Sequence, residues 1–159
     1  MTQHSTPCSK LSDHYDTILR EYNNYTQEWI TWPQYDLHTG GWSVIPLWLW
    51  PEPEPHDNLK YFPETARLVE EYFPHHRAVG FSRLAPHTRI HPHVGDTQPV
   101  LRYHLGIDCP QGDCALVVED GIYHWSNGHS FVFDDHKLHA AYNNTNYDRV
   151  ILIIDFEHK

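Results

Sequence analysis

The chain has 159 residues, 40% of them apolar, a size and composition that suit one packed core. Its 21 acidic residues outnumber 11 basic ones for a formal charge of −10, and no Lys/Arg run or basic helix is present, which speaks against a nucleic-acid partner. The most apolar stretch, Trp42 to Trp50, is interrupted by Pro46 and falls far short of the roughly 20 residues of a membrane span.

The opening MTQHSTPCSK lacks the apolar core of a signal peptide, so the expectation is a soluble cytoplasmic protein without a membrane partner. Three cysteines make no disulfide framework. Cys8 stands near the terminus, and Cys109 and Cys114 flank a turn at residues 110–113; a reduced pair is expected. From residue 8 to 29, Leu11, Tyr15, Ile18, Tyr22, Tyr25 and Trp29 recur at spacings of three and four, which predicts one amphipathic helix laid on a sheet. Loops follow at Trp32-Pro33 and Thr39-Gly40-Gly41. Trp42 to Trp50, rich in aromatic and β-branched residues, reads as a strand, and PEPEPH (51–56) as a stiff, extended surface connector.

A second helix is predicted from Phe62 to Phe73. Pro63 and Glu64 suit its first turn, Ala66, Val69 and Phe73 face inward, and Pro74 stops it. Beyond Ala78 the pattern changes to short strands near 78–85, 99–108, 114–119, 122–126, 130–134, 138–143 and 149–156. Asp120-Gly121 and Asn127-Gly128 are two-residue hairpin signals. The run VILIID predicts a strand covered on both faces. Two helices followed by many short strands point to a mostly β fold. We expect a double-stranded β-helix (a jelly roll of the cupin class) with a core at 78–156, backed by helical support at 8–75 and forming one domain over 1–159.

The 15 histidines are the compositional outlier. His87, His91, His93 and His104 cluster in SRLAPHTRIHPHVGDTQPVLRYHL (82–105), and His139 follows in FVFDDHKLHAAYNN. Neutral imidazole is the commonest metal ligand, and a jelly roll brings distant strands together at its mouth. His93 and His139 are the leading candidates, with His136 as the alternative to His139. A non-haem iron site usually adds a carboxylate, often two residues after the first histidine. Here that position is Gly95, and Asp96 is one residue too far.

Arg149 opens an apolar strand, where a guanidinium is costly unless paired. A carboxylate ligand would pair it in a bidentate fork. The plainer alternative is a structural salt bridge to Asp134, Asp135 or another acid. On the strand near 99–108, Val100, Arg102 and His104 share one face, too polar for a plain core.

With these residues in place, the sequence closely resembles the aspartyl/asparaginyl β-hydroxylase family of iron(II)- and 2-oxoglutarate-dependent dioxygenases. The matching stretches are GWSVIPLW, YFPET, FSRLAPHTRIHPHVGDTQPVLRYHLGI, GHSFVFDDHKLHAAYNNT and DRVILIIDF, between Gly41 and Phe156. A glycine in place of the acid is a mark of that family, and Gly95 fits it. The resemblance implies Fe(2+) held by His93 and His139 as the catalytic metal, with 2-oxoglutarate and O2 as co-substrates. It implies Ser82 and Arg149 on the distal carboxylate of 2-oxoglutarate, with His104 and Arg102 near its chelating end or near the substrate carboxylate. The reaction expected is hydroxylation of the β-carbon of an aspartyl or asparaginyl residue, or of a related amino acid-containing substrate. The partner is thus a peptide, a protein or a small amino acid-derived molecule. One departure stands out: Val100 occupies the position of a second arginine in relatives that act on peptide domains. Arg83 and Arg89 are the cations near enough in sequence to compensate. The competing readings are a cupin-type metal enzyme that uses no 2-oxoglutarate, and a ligand-binding jelly roll without catalysis.

Overall fold

The computed structural model describes residues 10–50, 52–95, 100–119 and 121–157. Cys8, Asp96 and Asp120 lie outside these residues. Helix α1 spans Tyr15–Asn24, shorter than the periodicity predicted. Its apolar stripe is real: Leu11 and Ile18 are buried, and Tyr15 and Tyr22 pack against the same core. The Asn23-Asn24 pair and the extended Tyr25 end the helix, since asparagine is a weak helix former. Tyr25 and Trp29 reach the core from the non-helical segment that follows. Helix α2 covers Pro63–Tyr72, with proline in its first turn as expected. Its N-terminus is capped from the other helix. The Glu21 carboxylate accepts from the backbone N–H of Glu64 (2.9 Å) and Thr65 (2.8 Å) and from Thr65 Oγ1 (2.7 Å), placing an anion at the positive end of the dipole.

Eleven strands form two facing sheets among the described residues. The larger has the order β1-β2-β4-β11-β6-β9, from Ile30–Thr31, Trp42–Leu49, His76–Leu84, Arg149–Phe156, Leu101–Asp108 and Ser130–Asp134. The connector at 51–56 contributes β3 (Glu54–Pro55) to its β2 edge. The smaller sheet runs β5-β10-β7-β8, from Thr88–His93, His139–Asn143, Cys114–Val118 and Gly121–Tyr123. This is a jelly roll backed by helices. Alternation along β2, β4, β6 and β11 divides the large sheet cleanly. Ile45, Leu47, Val79, Phe81, Tyr103, Leu105, Leu152 and Ile154 face the helices in one core cluster. Trp42, Leu84, Phe133, Ile151 and Ile153 face the small sheet in a second. Strand β11 is buried along nearly its whole length, as a continuous apolar run requires.

Two expectations fail. Thr88–His93 is a strand despite Pro92, because β5 is the edge of its sheet and Pro92 falls in a bulge there. Asn127-Gly128 does not join paired neighbours: β8 and β9 belong to different sheets, so the chain crosses between them here. Gly106 allows the crossing, because a Cβ at that position would meet the backbone carbonyl of Ser126. Cys109 and Cys114 are both free, and burial pushes each thiol up to about 11. Among the described residues no helix is long and apolar enough to cross a membrane.

Candidate active site

His139 and His93 are register partners across the β10–β5 ladder, and their rings lie 4.4 Å apart, centroid to centroid. A regular strand would send Ile90 and His93 to opposite faces. The bulge at residues 91–92, opposite Ala140, supplies the extra residue that turns both inward. Each imidazole is oriented by its own backbone. His93 Nδ1 lies 2.8 Å from the carbonyl of His91, and His139 Nδ1 lies 2.7 Å from that of Lys137. A carbonyl only accepts, so Nδ1 carries a proton in both rings, and in the neutral tautomer that this selects Nε2 presents its lone pair. Burial lowers the His139 pKa, which keeps that ring neutral.

Asp135 completes this corner. Its Oδ1 lies 3.4 Å from His139 Nε2 and 3.3 Å from an Arg102 nitrogen, yet it accepts no hydrogen bond. An acceptor oxygen facing an acceptor nitrogen is a pairing that a cation or a bridging water resolves. Asp135 also occupies the space over Gly95. A Cβ on Gly95 would collide with the Asp135 carboxylate and approach its carbonyl oxygen to 2.7 Å. On the reading that the family resemblance implies, Gly95→Asp is therefore expected to displace Asp135 and lose hydroxylation, even where iron uptake is kept. Metal content and product formation measured together check this, and wild-type turnover with unchanged product would refute it.

The wall opposite the histidines is the inner face of the large sheet, which carries Ser82, Arg149, His104, Arg102 and Asp155. Arg149 is buried, and one of its terminal nitrogens donates to Ser82 Oγ at 2.8 Å and to the Ser82 carbonyl at 3.3 Å. Trp42 Nε1 donates to the same hydroxyl at 3.0 Å. The Trp125 ring lies 4.5 Å from the guanidinium carbon. Among the described residues no carboxylate pairs with Arg149, its Nε lacks a partner, and burial pushes its pKa down to about 10. Asp134 and Asp135 are not its counter-ions; Asp134 caps its own turn at the His136 N–H. His104 Nδ1 accepts from Trp125 Nε1 at 3.1 Å, so the proton of the neutral ring sits on Nε2, which is buried without an acceptor. Burial lowers the His104 pKa well below the ordinary imidazole value.

Arg102 differs from Arg149. It holds Asp155 in a fork of 2.6 and 2.9 Å. Burial alone would lower its pKa, but Asp155 and Asp135 outweigh that and raise it. Its charge is thus already answered by two acids. Val100 is buried and lines the outer cleft beside it. Arg83 and Arg89 do not compensate: Arg83 stacks on Trp29 on the helix side of the large sheet, and Arg89 lies exposed on the outer face of the small one. His87, His91 and His136 also stay outside; His91 contributes only its carbonyl. Sequence reasoning missed Asp155, Trp42 and Trp125. Asp155 was legible, since it keeps step with Arg149 along β11. Trp125 sits in an irregular segment and carried no signal.

Two recesses meet at Trp42, His93, Arg102 and Ile153. The inner one is bounded by Ser82, His104, Arg149 and His139. The outer one is a cleft of about 690 Å³ that opens past Val100 and a set of tryptophans.

A family model described as Aspartyl/Asparaginyl beta-hydroxylase matches residues 12–159. An ornithine lipid ester-linked acyl 2-hydroxylase of Rhizobium tropici is 35% identical over 62% of this chain and 36% of its own length. The human aspartyl/asparaginyl beta-hydroxylase is 30% identical over 75% of this chain and 16% of its own length. The chain thus spans well under half of these relatives. In fold, an oxidoreductase of the 2OG-Fe(II) oxygenase family from Burkholderia pseudomallei aligns with a TM-score of 0.65 at 10% identity, over 99% of this chain and 93% of that one.

Proposed function

The chain belongs to the aspartyl/asparaginyl β-hydroxylase family, and on that premise we propose that it is an iron(II)- and 2-oxoglutarate-dependent dioxygenase. The expected reaction is hydroxylation of the β-carbon of an aspartyl or asparaginyl residue, or of a related amino acid-containing substrate. The observation that carries this reading is Arg149: a buried cation without a carboxylate partner among the described residues, with an unpaired Nε, ten residues along the chain from His139. The Ser82 contacts and the Trp125 ring leave this buried charge without an anion, which a dicarboxylate entering the inner recess would supply.

The residues fit both groups. His93 and His139 would hold iron(II) through their Nε2 lone pairs, and Asp135 Oδ1 would accept from a water beside it. Arg149 and Ser82 would grip one carboxylate of 2-oxoglutarate. His104 Nε2–H would donate toward its other end. When bound, the iron supplies oxygen activation coupled to oxidative decarboxylation of 2-oxoglutarate to succinate and carbon dioxide. The chain's own share is positioning. Backbone carbonyls fix both imidazole tautomers, Trp42 and Trp125 orient the Ser82 hydroxyl and the His104 ring, and burial keeps water from the clamp.

Succinate release from 2-oxoglutarate in the presence of iron(II) and ascorbate tests the reading, with calorimetric titration of 2-oxoglutarate as a second measurement. A cupin-type enzyme or a binding jelly roll that uses no 2-oxoglutarate would show neither signal, and both results negative would reject the proposal. Ser82→Ala is expected to weaken 2-oxoglutarate binding by about 1 kcal/mol, the contribution of one lost hydrogen bond, measured in the same titration. Unchanged affinity would remove Ser82 from the clamp.

A further inference from the structure

Two carboxylates compete for Arg102. Asp155 is its register partner across the β6–β11 ladder and takes the edge formed by Nε and one terminal nitrogen, at 2.6 and 2.9 Å. Asp135 arrives from the other flank, just past the end of β9, which pairs with β6 on its far side. It faces the remaining nitrogen, Nη1, at 3.3 Å and without a hydrogen bond. Both acids are buried, so water does little to settle the competition.

A guanidinium grips a carboxylate best through two parallel N–H groups. Asp155 holds that grip, and Asp135 is the acid that matters to the histidines. Its Oδ1 lies 3.4 Å from His139 Nε2, and its backbone is pinned at Gly95, whose N–H donates to the Asp135 carbonyl at 2.7 Å. Were Arg102 released by Asp155, its fork would be free to turn to Asp135. Oδ1 would then be consumed in an ion pair and lost to whatever binds beside His139.

We propose that Asp155 is a positioning residue for the candidate metal corner: by occupying the fork of Arg102 it leaves one oxygen of Asp135 free beside His139. This rests on the reading of His93 and His139 as the pair that holds the metal.

The test is the binding of cobalt(II), a spectroscopic stand-in for iron(II), to the metal-free full chain. Calorimetry gives the affinity, the visible absorption of bound cobalt reports its surroundings, and the melting temperature checks folding. Asp155→Asn keeps the volume and loses the charge. It is expected to weaken cobalt(II) binding roughly tenfold, as for an outer partner of a metal site, and to alter the visible band. In an Asp135→Asn background the same substitution is expected to change affinity by less than about twofold, because no carboxylate is left there for Arg102 to capture. A direct charge effect would give the same loss in both backgrounds, and a purely structural ion pair would give no loss in either.

Should Asp155→Asn fail to fold, the paired substitution Arg102→Met with Asp155→Leu takes its place, since exchanging a buried ion pair for apolar side chains is often neutral or stabilising. It removes the competing cation altogether, so cobalt(II) affinity is expected to equal or exceed that of the wild type. The proposal is overturned by unchanged affinity in Asp155→Asn, by a loss that persists undiminished without Asp135, or by a tenfold loss in the paired variant. A wild-type chain that binds no cobalt(II) would reject the metal reading itself, and this role with it.

Discussion

Replacing His139 with alanine is expected to abolish stable iron binding and, with it, succinate formation. Among the described residues no group of three or more histidine, cysteine or acidic side chains is placed to hold a metal ion. On the proposed reading the two imidazoles, with ring centroids 4.4 Å apart, would carry the binding between them. Loss of an outer partner of a metal site typically costs 10–100-fold in affinity, and removing one of two direct ligands is expected to cost more than about 100-fold. His93→Ala should behave alike. His136→Ala and His91→Ala provide the contrast: His136 is exposed on the turn before β10, and His91 acts through its carbonyl, which alanine retains. Iron per chain after desalting, with melting temperature to confirm folding, reads the result. Iron retained in His139→Ala but lost in His136→Ala would move the site to the turn and defeat the assignment.

The second large effect concerns Arg149, and its two substitutions pull apart function and stability. Arg149→Lys keeps a charge but loses the planar fork and the flat face over Trp125. Hydrogen bonds to charged groups contribute about 1.5–3 kcal/mol, so the Kd for 2-oxoglutarate is expected to rise roughly 10- to 100-fold. Arg149→Met removes a buried cation that has no carboxylate partner among the described residues. Replacing a buried charge with an apolar side chain of similar volume is often neutral or stabilising. The melting temperature without ligand should therefore stay near the wild-type value or rise. Saturating 2-oxoglutarate should stabilise the wild type by about 2.7 kcal/mol at 100 times its Kd and leave Arg149→Met unmoved. A marked fall in the ligand-free melting temperature of Arg149→Met, with 2-oxoglutarate still stabilising it, would make Arg149 a structural residue and transfer the clamp elsewhere.

Much of the site was legible along the strands. Alternation with period two put Arg102 with His104 on one face and placed an arginine at the head of the most buried strand, where its charge demands a partner. The pattern of two helices followed by short strands led to the jelly roll, because each amphipathic element must bury its one apolar face. Helix α1 was overextended because its stripe continues through Tyr25 and Trp29, which reach the same core after the helix has ended; periodicity registers where side chains go, not the backbone that delivers them.

What the sequence by itself determined was the set of groups: two imidazoles, an arginine and a serine for a carboxylate, and a glycine where an acid is usual. His93, His139 and Arg149 follow as candidates from residue chemistry and a local period of two, whereas Ser82 and the reading of Gly95 follow from the family resemblance. Tertiary structure alone decided how they meet. The bulge at residues 91–92 turns His93 inward, a shift of parity set by pairing with β10 rather than by any local preference. Asp135 comes to lie over Gly95, and Asp155 claims Arg102 across a ladder of 53 residues' separation. Those contacts separate an arginine already neutralised from one left without a carboxylate among the described residues, and opposite charges distant in sequence find each other only once the sheet has set their register.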